Sequence, residues 1–338
     1  AKKIYLIGCA LSAIGLLGFG LYASDFLQAC FMMSISGAGF ASLYMPGLKI
    51  ISDRLQSSEL SRSIAFYTAF FGIGTGLSYL ISGLLIPHLG WRWVFMGVAL
   101  GPLFSFVLTY VYVKKLDKAQ QNIEIRFSDM LPIQKWVEVT RDPRAIQYIM
   151  GYGIHCLELF ASRNWIVAYL IFCGLHGQSA LPLAIPAVAG IINFIGVPSS
   201  IIGNEIAGRI GRLRWVYVVM TLSFVSAVLL SMAYEWSWWI ILSLAVLHMI
   251  FIMADSSTLT AGLVLSAKSE IKGAAMGLHS LVGFIGGLIG PALFGFFLDW
   301  AKSAEMSNPW SYAYLSIVIL SVVFVLFYLM RSMWLKNN

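Results

Sequence analysis

The sequence predicts an all-α, polytopic membrane protein, and three observations carry that expectation. Of 338 residues, 59% are hydrophobic and only 11% are charged, with a mean hydropathy of +0.83, far from the balance of a soluble globular domain. The apolar residues gather in ten stretches, each close to the roughly 20 residues a helix needs to cross a hydrocarbon core about 30 Å thick. The basic residues lie between those stretches and favour alternate connections.

Taken in order, the expected spans are Ile4 to Tyr22, Phe26 to Leu48, Ile64 to Pro87, Trp93 to Val113, Ala145 to Phe172, Leu181 to Ile202, Trp215 to Tyr234, Trp238 to Leu265, Ala274 to Leu298 and Trp310 to Met330. With Lys2 and Lys3 on the cytoplasmic side, 19 of the 22 Lys and Arg fall inside. Only Arg92 and Lys302 lie outside, and Arg163 sits within a span, so the positive-inside rule places both termini in the cytoplasm. The outer face is expected to carry an aromatic belt of Trp91, Trp93, Trp236, Trp238, Trp239, Trp300 and Trp310.

The net charge of +7 is topological, because no basic stripe interleaved with aromatics is present, and nucleic acid is not an expected partner. Cys9, Cys30, Cys156 and Cys173 show no CxxC or Cys/His spacing and read as small core residues. No metal and no cofactor are expected. The absence of HExxH and of a Gly-x-Ser-x-Gly elbow argues against an intramembrane enzyme.

One connection is long. Residues 114–144 carry seven basic residues and separate four spans from six, which divides the chain into a bundle over 1–113, a cytoplasmic linker over 114–144 and a bundle over 145–338. Within the linker, Met130, Leu131, Trp136 and Val137 suit one face of a short helix on the inner membrane surface, a plain solvated linker being the other reading. Asp142 and Pro143 supply an N-cap and a first-turn proline for the fifth span.

The halves repeat. Gly72, Gly74, Gly76 and Gly83 in the third span answer Gly283, Gly286, Gly287, Gly290 and Gly295 in the ninth, at an offset of roughly 210 residues that also pairs Tyr5 with Tyr217. Extending that offset upstream from the fifth span reaches beyond Ala1 by enough for two helices. The expectation is a parent of six plus six spans, ten of which are in this chain.

On these features the chain resembles the major facilitator superfamily of secondary transporters along its whole length. The segment from Asn204 through Gly208, Arg209, Gly211, Arg212 and Arg214 is similar to the second-half copy of the family's inner loop motif. Gly90-Trp91-Arg92-Trp93 is similar to the entry to its sixth helix. Two departures stand out: Met33 occupies the place of the arginine in the family's fourth-helix motif, and Gly72 to Gly83 lacks the Gly-Pro pair of its antiporters. The stretch from His155 to Trp165 is more distantly similar to cyanate and nitrate-type permeases. The resemblance implies a two-bundle fold in which the fifth and eighth spans line a central cavity.

The polar residues inside the spans are the candidate site, because an ionisable group at the bilayer centre costs roughly 2.5 to 3.5 kcal/mol on insertion scales. His155 and Glu158 are three apart and share a helical face, while Arg163 lies about 140° round from Glu158 and nearer the outer end. Glu158 near mid-depth suits a carboxyl that takes and releases a proton. Arg163 suits an anion or snorkelling to the interface. On the eighth span His248 and Asp255 are seven apart, and Asp255 suits a proton or cation site. Asn193 suits hydrogen bonding to solute or helix-to-helix adhesion, and His279 suits packing against glycines. The resemblance implies that Arg209, Gly211, Arg212 and Arg214 form a gating loop, the other reading being topology alone under the positive-inside rule.

The expected function is secondary active transport of a small solute across the cytoplasmic membrane, coupled to protons, by a monomer in the lipid bilayer. Drug or metabolite efflux by antiport, and a transport-inactive fragment, are the alternatives.

Overall fold

A computed structural model describes residues 1–55, 57–114, 132–176 and 184–337, with the backbone alone at 57–58 and 328–337. Twelve α-helices follow one another among the described residues: α1 (Lys2–Tyr22), α2 (Phe26–Ser52), α3 (Ser57–Leu89), α4 (Trp91–Val98), α5 (Leu100–Tyr112), α6 (Ile133–Arg141), α7 (Pro143–Leu175), α8 (Ile185–Ile210), α9 (Arg212–Met232), α10 (Trp238–Ser266), α11 (Lys272–Ser303) and α12 (Pro309–Asn337). No strand occurs among the described residues. Among the described residues ten spans are long and apolar enough to cross a membrane, with α4 and α5 forming one of them, and the chain is a multi-pass membrane protein. The break within that span follows from Pro102, which has no N–H to offer the carbonyl four residues back.

Helix ends run past the expected spans where polar turns extend the helix beyond the apolar run. α3 begins at Ser57 rather than near Ile64, and α8 continues to Ile210 rather than ending near Ile202. The seventh helix starts as its sequence requires: Asp142 accepts from the backbone N–H of Arg144 at 2.8 Å and of Ala145 at 3.3 Å, with Pro143 in the first turn.

By contact the chain forms two compact units. The first comprises Ala1–Gln56 and Leu80–Gln134. In it, α1 packs along α2 with glycine at the crossing, since a Cβ on Gly15 would meet the backbone of Met32 and Ser36. Arg92 explains its motif locally, donating from Nη2 to the Ala23 carbonyl at 2.7 Å and from Nη1 to the Gly20 carbonyl at 3.2 Å, so that a cation closes the C-terminal end of α1.

The second unit comprises Ser57–Tyr79 and Lys135–Asn338. Its main seams are α7 against α11 and α8 against α10. A Cβ on Gly286 would meet the Gly153 carbonyl, one on Gly290 the Leu157 carbonyl, and one on Gly203 the Ala254 carbonyl, so these helices touch backbone to backbone. Two apolar clusters fill it. One is built around Tyr169, Leu230, Ile241, Phe294 and Tyr314; the other joins α6 through Val139 to Ile149, Leu259 and Ala275. Trp136 packs on the second cluster, whereas Val137 is exposed; Met130 and Leu131 lie outside the described residues. Of the expected tryptophan belt, Trp91, Trp93, Trp236, Trp239 and Trp300 are exposed, but Trp238 and Trp310 are buried. Trp310 stands edge-on to Tyr169 at 5.2 Å, which places it in the core.

Candidate functional site

Helix α7 carries three of the candidate residues, His155, Glu158 and Arg163. Seventeen of its residues are buried, among them His155, Glu158, Ser162 and Arg163, because α8, α10, α11 and α12 all pack on it. Each of these polar groups is at most 5% exposed, so bulk water is not its partner.

The side chains sort into three groups. In the first, the Ser223 hydroxyl of α9 donates to Glu158 Oε1 at 2.5 Å, and Glu158 Oε1 lies 4.0 Å from His248 Nδ1 of α10. His248 is held on both ring nitrogens, with Nε2 3.0 Å from Ser162 Oγ and Nδ1 3.2 Å from Ser226 Oγ. A carboxyl, an imidazole and three hydroxyls thus form one buried chain of exchangeable protons across α7, α9 and α10.

In the second group, His155 Nδ1 lies 2.8 Å from Asp255 Oδ1, with the ring turned off the hydrogen-bonding direction, so the contact is an electrostatic pair more than an aligned bond. The Tyr152 ring stacks on His279 at 3.9 Å and lies 5.8 Å from the His155 ring. His279 Nε2 is 3.4 Å from Thr260 Oγ1. His155 and Glu158 share a face of α7, yet each turns to a different partner. Asp255 and His248, seven apart on α10, divide between the two groups in the same way.

The third group surrounds Arg163. Its Nη1 is 3.5 Å from Thr75 Oγ1, its Nη2 3.6 Å from the Met253 sulfur, and its Cζ 5.1 Å from the centroid of the Phe71 ring. The Tyr79 hydroxyl donates to the Arg163 backbone carbonyl at 2.5 Å. At 3% exposed the guanidinium is enclosed rather than drawn to an interface.

Asn193 is fully buried, and its Nδ2 donates back to the Ala189 carbonyl of its own helix at 2.9 Å. The segment read as a gating loop is helical on both sides of a single residue. Arg209 lies in the last turn of α8, Arg212 and Arg214 open α9, and only Gly211 stands between the two helices, at φ 100°, where a residue with a Cβ is strained. Arg212 donates to Asn204 Oδ1 at 2.7 Å and Ser61 Oγ at 2.8 Å, and Arg62 forks onto Glu205 at 3.0 and 3.3 Å. Arg209 and Arg214 are more exposed than Arg212.

The serines of α9 escaped the sequence reading. Ser223 and Ser226, three apart in an apolar span, were the available signal. Among the described residues no group of three or more His, Cys, Asp or Glu is placed to hold a metal.

Residues 1–271 match the sequence profile of the Major Facilitator Superfamily. The chain belongs to the major facilitator superfamily. Solved structures agree at the level of the fold: the chain superposes on the proton:xylose symporter XylE with a TM-score of 0.72 at 14% identity, covering 96% of this chain and 79% of that one. The fucose:proton symporter of E. coli gives 0.68 at 12% identity, covering 96% and 83%. Among relatives in sequence, the multidrug resistance protein Stp of Mycobacterium tuberculosis is 31% identical over 116 residues, 34% of this chain and 21% of that protein. Multidrug resistance protein 3 of Bacillus subtilis is 26% identical over 124 residues, 36% of this chain and 24% of its own length. The matched segments thus span about a fifth to a quarter of these relatives. Members of the superfamily are transporters rather than enzymes, so the buried clusters of this member are weighed as binding and coupling groups.

Proposed function

We propose that the chain is a secondary active transporter that moves a small solute across the cytoplasmic membrane by alternating access, coupled to protons. The observation that carries the reading is the buried Glu158, Ser223 and His248 chain. Groups of that cost inside a span are retained where a proton must bind and leave. His155 with Asp255 forms a second protonatable pair one turn away on α7. Asn193, buried on α8 with its Oδ1 unpaired, supplies an amide for a polar solute.

In this reading residues 1–113 and 145–338 are the moving bundles and 114–144 is the linker between them. Both termini are cytoplasmic, in keeping with the basic residues of the connections. Arg209, Gly211, Arg212 and Arg214 govern opening on the cytoplasmic side. The lipid bilayer is the only other partner required, and the working unit is a monomer.

The test is direct. Proteoliposomes loaded with a pH-sensitive dye are challenged with a panel of sugars, carboxylates and lipophilic cations. Symport acidifies the lumen when one class is added outside, and Glu158→Gln abolishes that acidification. Acidification that survives Glu158→Gln removes Glu158 from coupling. Absence of any solute-dependent flux favours a chain that binds without transporting.

A second reading, efflux by antiport, draws support from the names of the relatives, two of them multidrug resistance proteins. It predicts the opposite sign, with proton exit when a lipophilic cation enters.

A further inference from the structure

Arg163 is the residue that the proton chemistry leaves unexplained. It is 3% exposed, and among the described residues no aspartate or glutamate forms an ion pair with it. Its Nε has no hydrogen-bond partner, and its two polar contacts, to a threonine hydroxyl at 3.5 Å and a thioether sulfur at 3.6 Å, sit at the far edge of hydrogen bonding. Other arginines in the same unit are well supplied. Arg212 holds two oxygens at 2.7 and 2.8 Å, and Arg62 holds a carboxylate. A fully buried cation without a counter-ion is strongly unfavourable, so its retention calls for an anion that arrives from outside the chain.

The surroundings narrow the anion. A guanidinium is a planar fork that matches a carboxylate two bonds at a time. Arg163 brings a single positive charge, which offsets one negative charge and not two. Its walls are apolar: the Phe71 ring, Met253 and Val197. Gly72 widens the space, since a Cβ there would stand 3.9 Å from Arg163 Nη2 and 2.9 Å from a Val197 methyl. The Tyr79 bond to the Arg163 carbonyl fixes the backbone without using any guanidinium donor.

We propose that Arg163 is the recognition site for the solute's anionic head, and that the solute is a monocarboxylate with an apolar body. The proposal rests on the transport reading above, naming its substrate class, but it is tested by binding alone, with no gradient and no flux.

The probe is benzoate, with benzamide as its uncharged isostere and inorganic phosphate as a more highly charged anion. Binding to the purified chain in lipid nanodiscs is read by calorimetry and by the shift in thermal unfolding. Benzoate binds and raises the unfolding temperature, while benzamide and phosphate do not. Arg163→Gln weakens benzoate by about thirtyfold or more, the range for losing one partner of a buried charge pair. Arg163→Lys, which keeps the charge and loses the fork, falls between. Gly72→Val crowds the guanidinium and weakens benzoate with the charge intact. Equal binding of benzamide, preference for phosphate, no binding of benzoate, or undiminished binding by Arg163→Gln each overturns the proposal. Should Arg163→Gln not fold, benzoate against benzamide on the unaltered chain and on Gly72→Val decides. A failure of Glu158→Gln to alter coupling leaves this result untouched, and a failure here leaves the coupling result untouched.

Discussion

The Ser223 hydroxyl donates to the Glu158 carboxyl at 2.5 Å, tying α9 to α7 where neither residue is more than 3% exposed. Removing the donor leaves a buried carboxyl oxygen with His248 at 4.0 Å as its remaining neighbour in this group. Ser223→Ala is therefore expected to lower stability by about 1 to 3 kcal/mol, the cost of a buried polar atom losing its partner. Ser223→Thr, which keeps the hydroxyl, costs less. Thermal unfolding of the purified variants checks this, and an alanine variant as stable as the parent would remove the bond from the account.

His155 and Asp255 lie 2.8 Å apart with both side chains at most 3% exposed. Breaking such a pair from one side leaves the other group buried alone, at about 3 to 5 kcal/mol, whereas removing both leaves nothing uncompensated. His155→Phe and Asp255→Leu are each expected to destabilise, and the double variant to lose less than the two combined by at least about 1 kcal/mol. Strict additivity in that cycle would mean the two groups do not interact.

The spans were legible because a run of apolar residues about 20 long has few alternatives to a transmembrane helix. Their true ends were not, since Glu59 and Arg62 extend α3 through turns that hydropathy scores as loop. The candidate residues were legible for the same reason in reverse: His155, Glu158, Arg163 and Asp255 stand out as costly in apolar runs. Their partners were not legible. Spacing fixes the angle of a side chain around its own helix, but not which neighbouring helix meets that angle. So the shared face of His155 and Glu158 concealed that one turns to Asp255 and the other to Ser223. Arg163 was open to snorkelling in sequence, and only the packing of Phe71 and Tyr79 encloses it.

The α7 to α11 seam depends on hydrogen as a side chain. Gly290→Ala would press a methyl on the Leu157 carbonyl and Gly286→Ala on the Gly153 carbonyl, and backbone cannot move aside as a side chain does. Each is expected to cost about 1 to 3 kcal/mol through helix displacement. Gly74→Ala meets nothing within 4 Å and is expected to be neutral or to stabilise by up to about 1 kcal/mol through helix propensity. Unfolding temperatures of the three variants, measured side by side in one detergent, test the contrast. Destabilisation by Gly74→Ala equal to that by Gly290→Ala would show that the seam is not the cause.

Two polar contacts link α3 to the α8 to α9 corner, and their energetics differ. Arg62 and Glu205 form a forked pair with side chains 67% and 42% exposed, so water and salt screen it. Glu205→Gln is expected to change stability by less than about 1 kcal/mol at low salt and by nothing measurable at 1 M salt, where the screening length is about 3 Å. Arg212 is half-buried and bridges Asn204 and Ser61 with bonds of 2.7 and 2.8 Å. Arg212→Gln is expected to cost about 1.5 to 3 kcal/mol, the range for hydrogen bonds to a charged group, and to keep most of that cost in high salt. If the corner also governs opening on the cytoplasmic side, the same variant speeds reaction of a cysteine placed at Ala65, buried one turn along α3 from Ser61, with a membrane-impermeant thiol reagent added from that side, while Glu205→Gln leaves the rate unchanged. Equal salt sensitivity of the two variants would place Arg212 among ordinary surface charges, and an unchanged thiol rate would separate the bridge from gating.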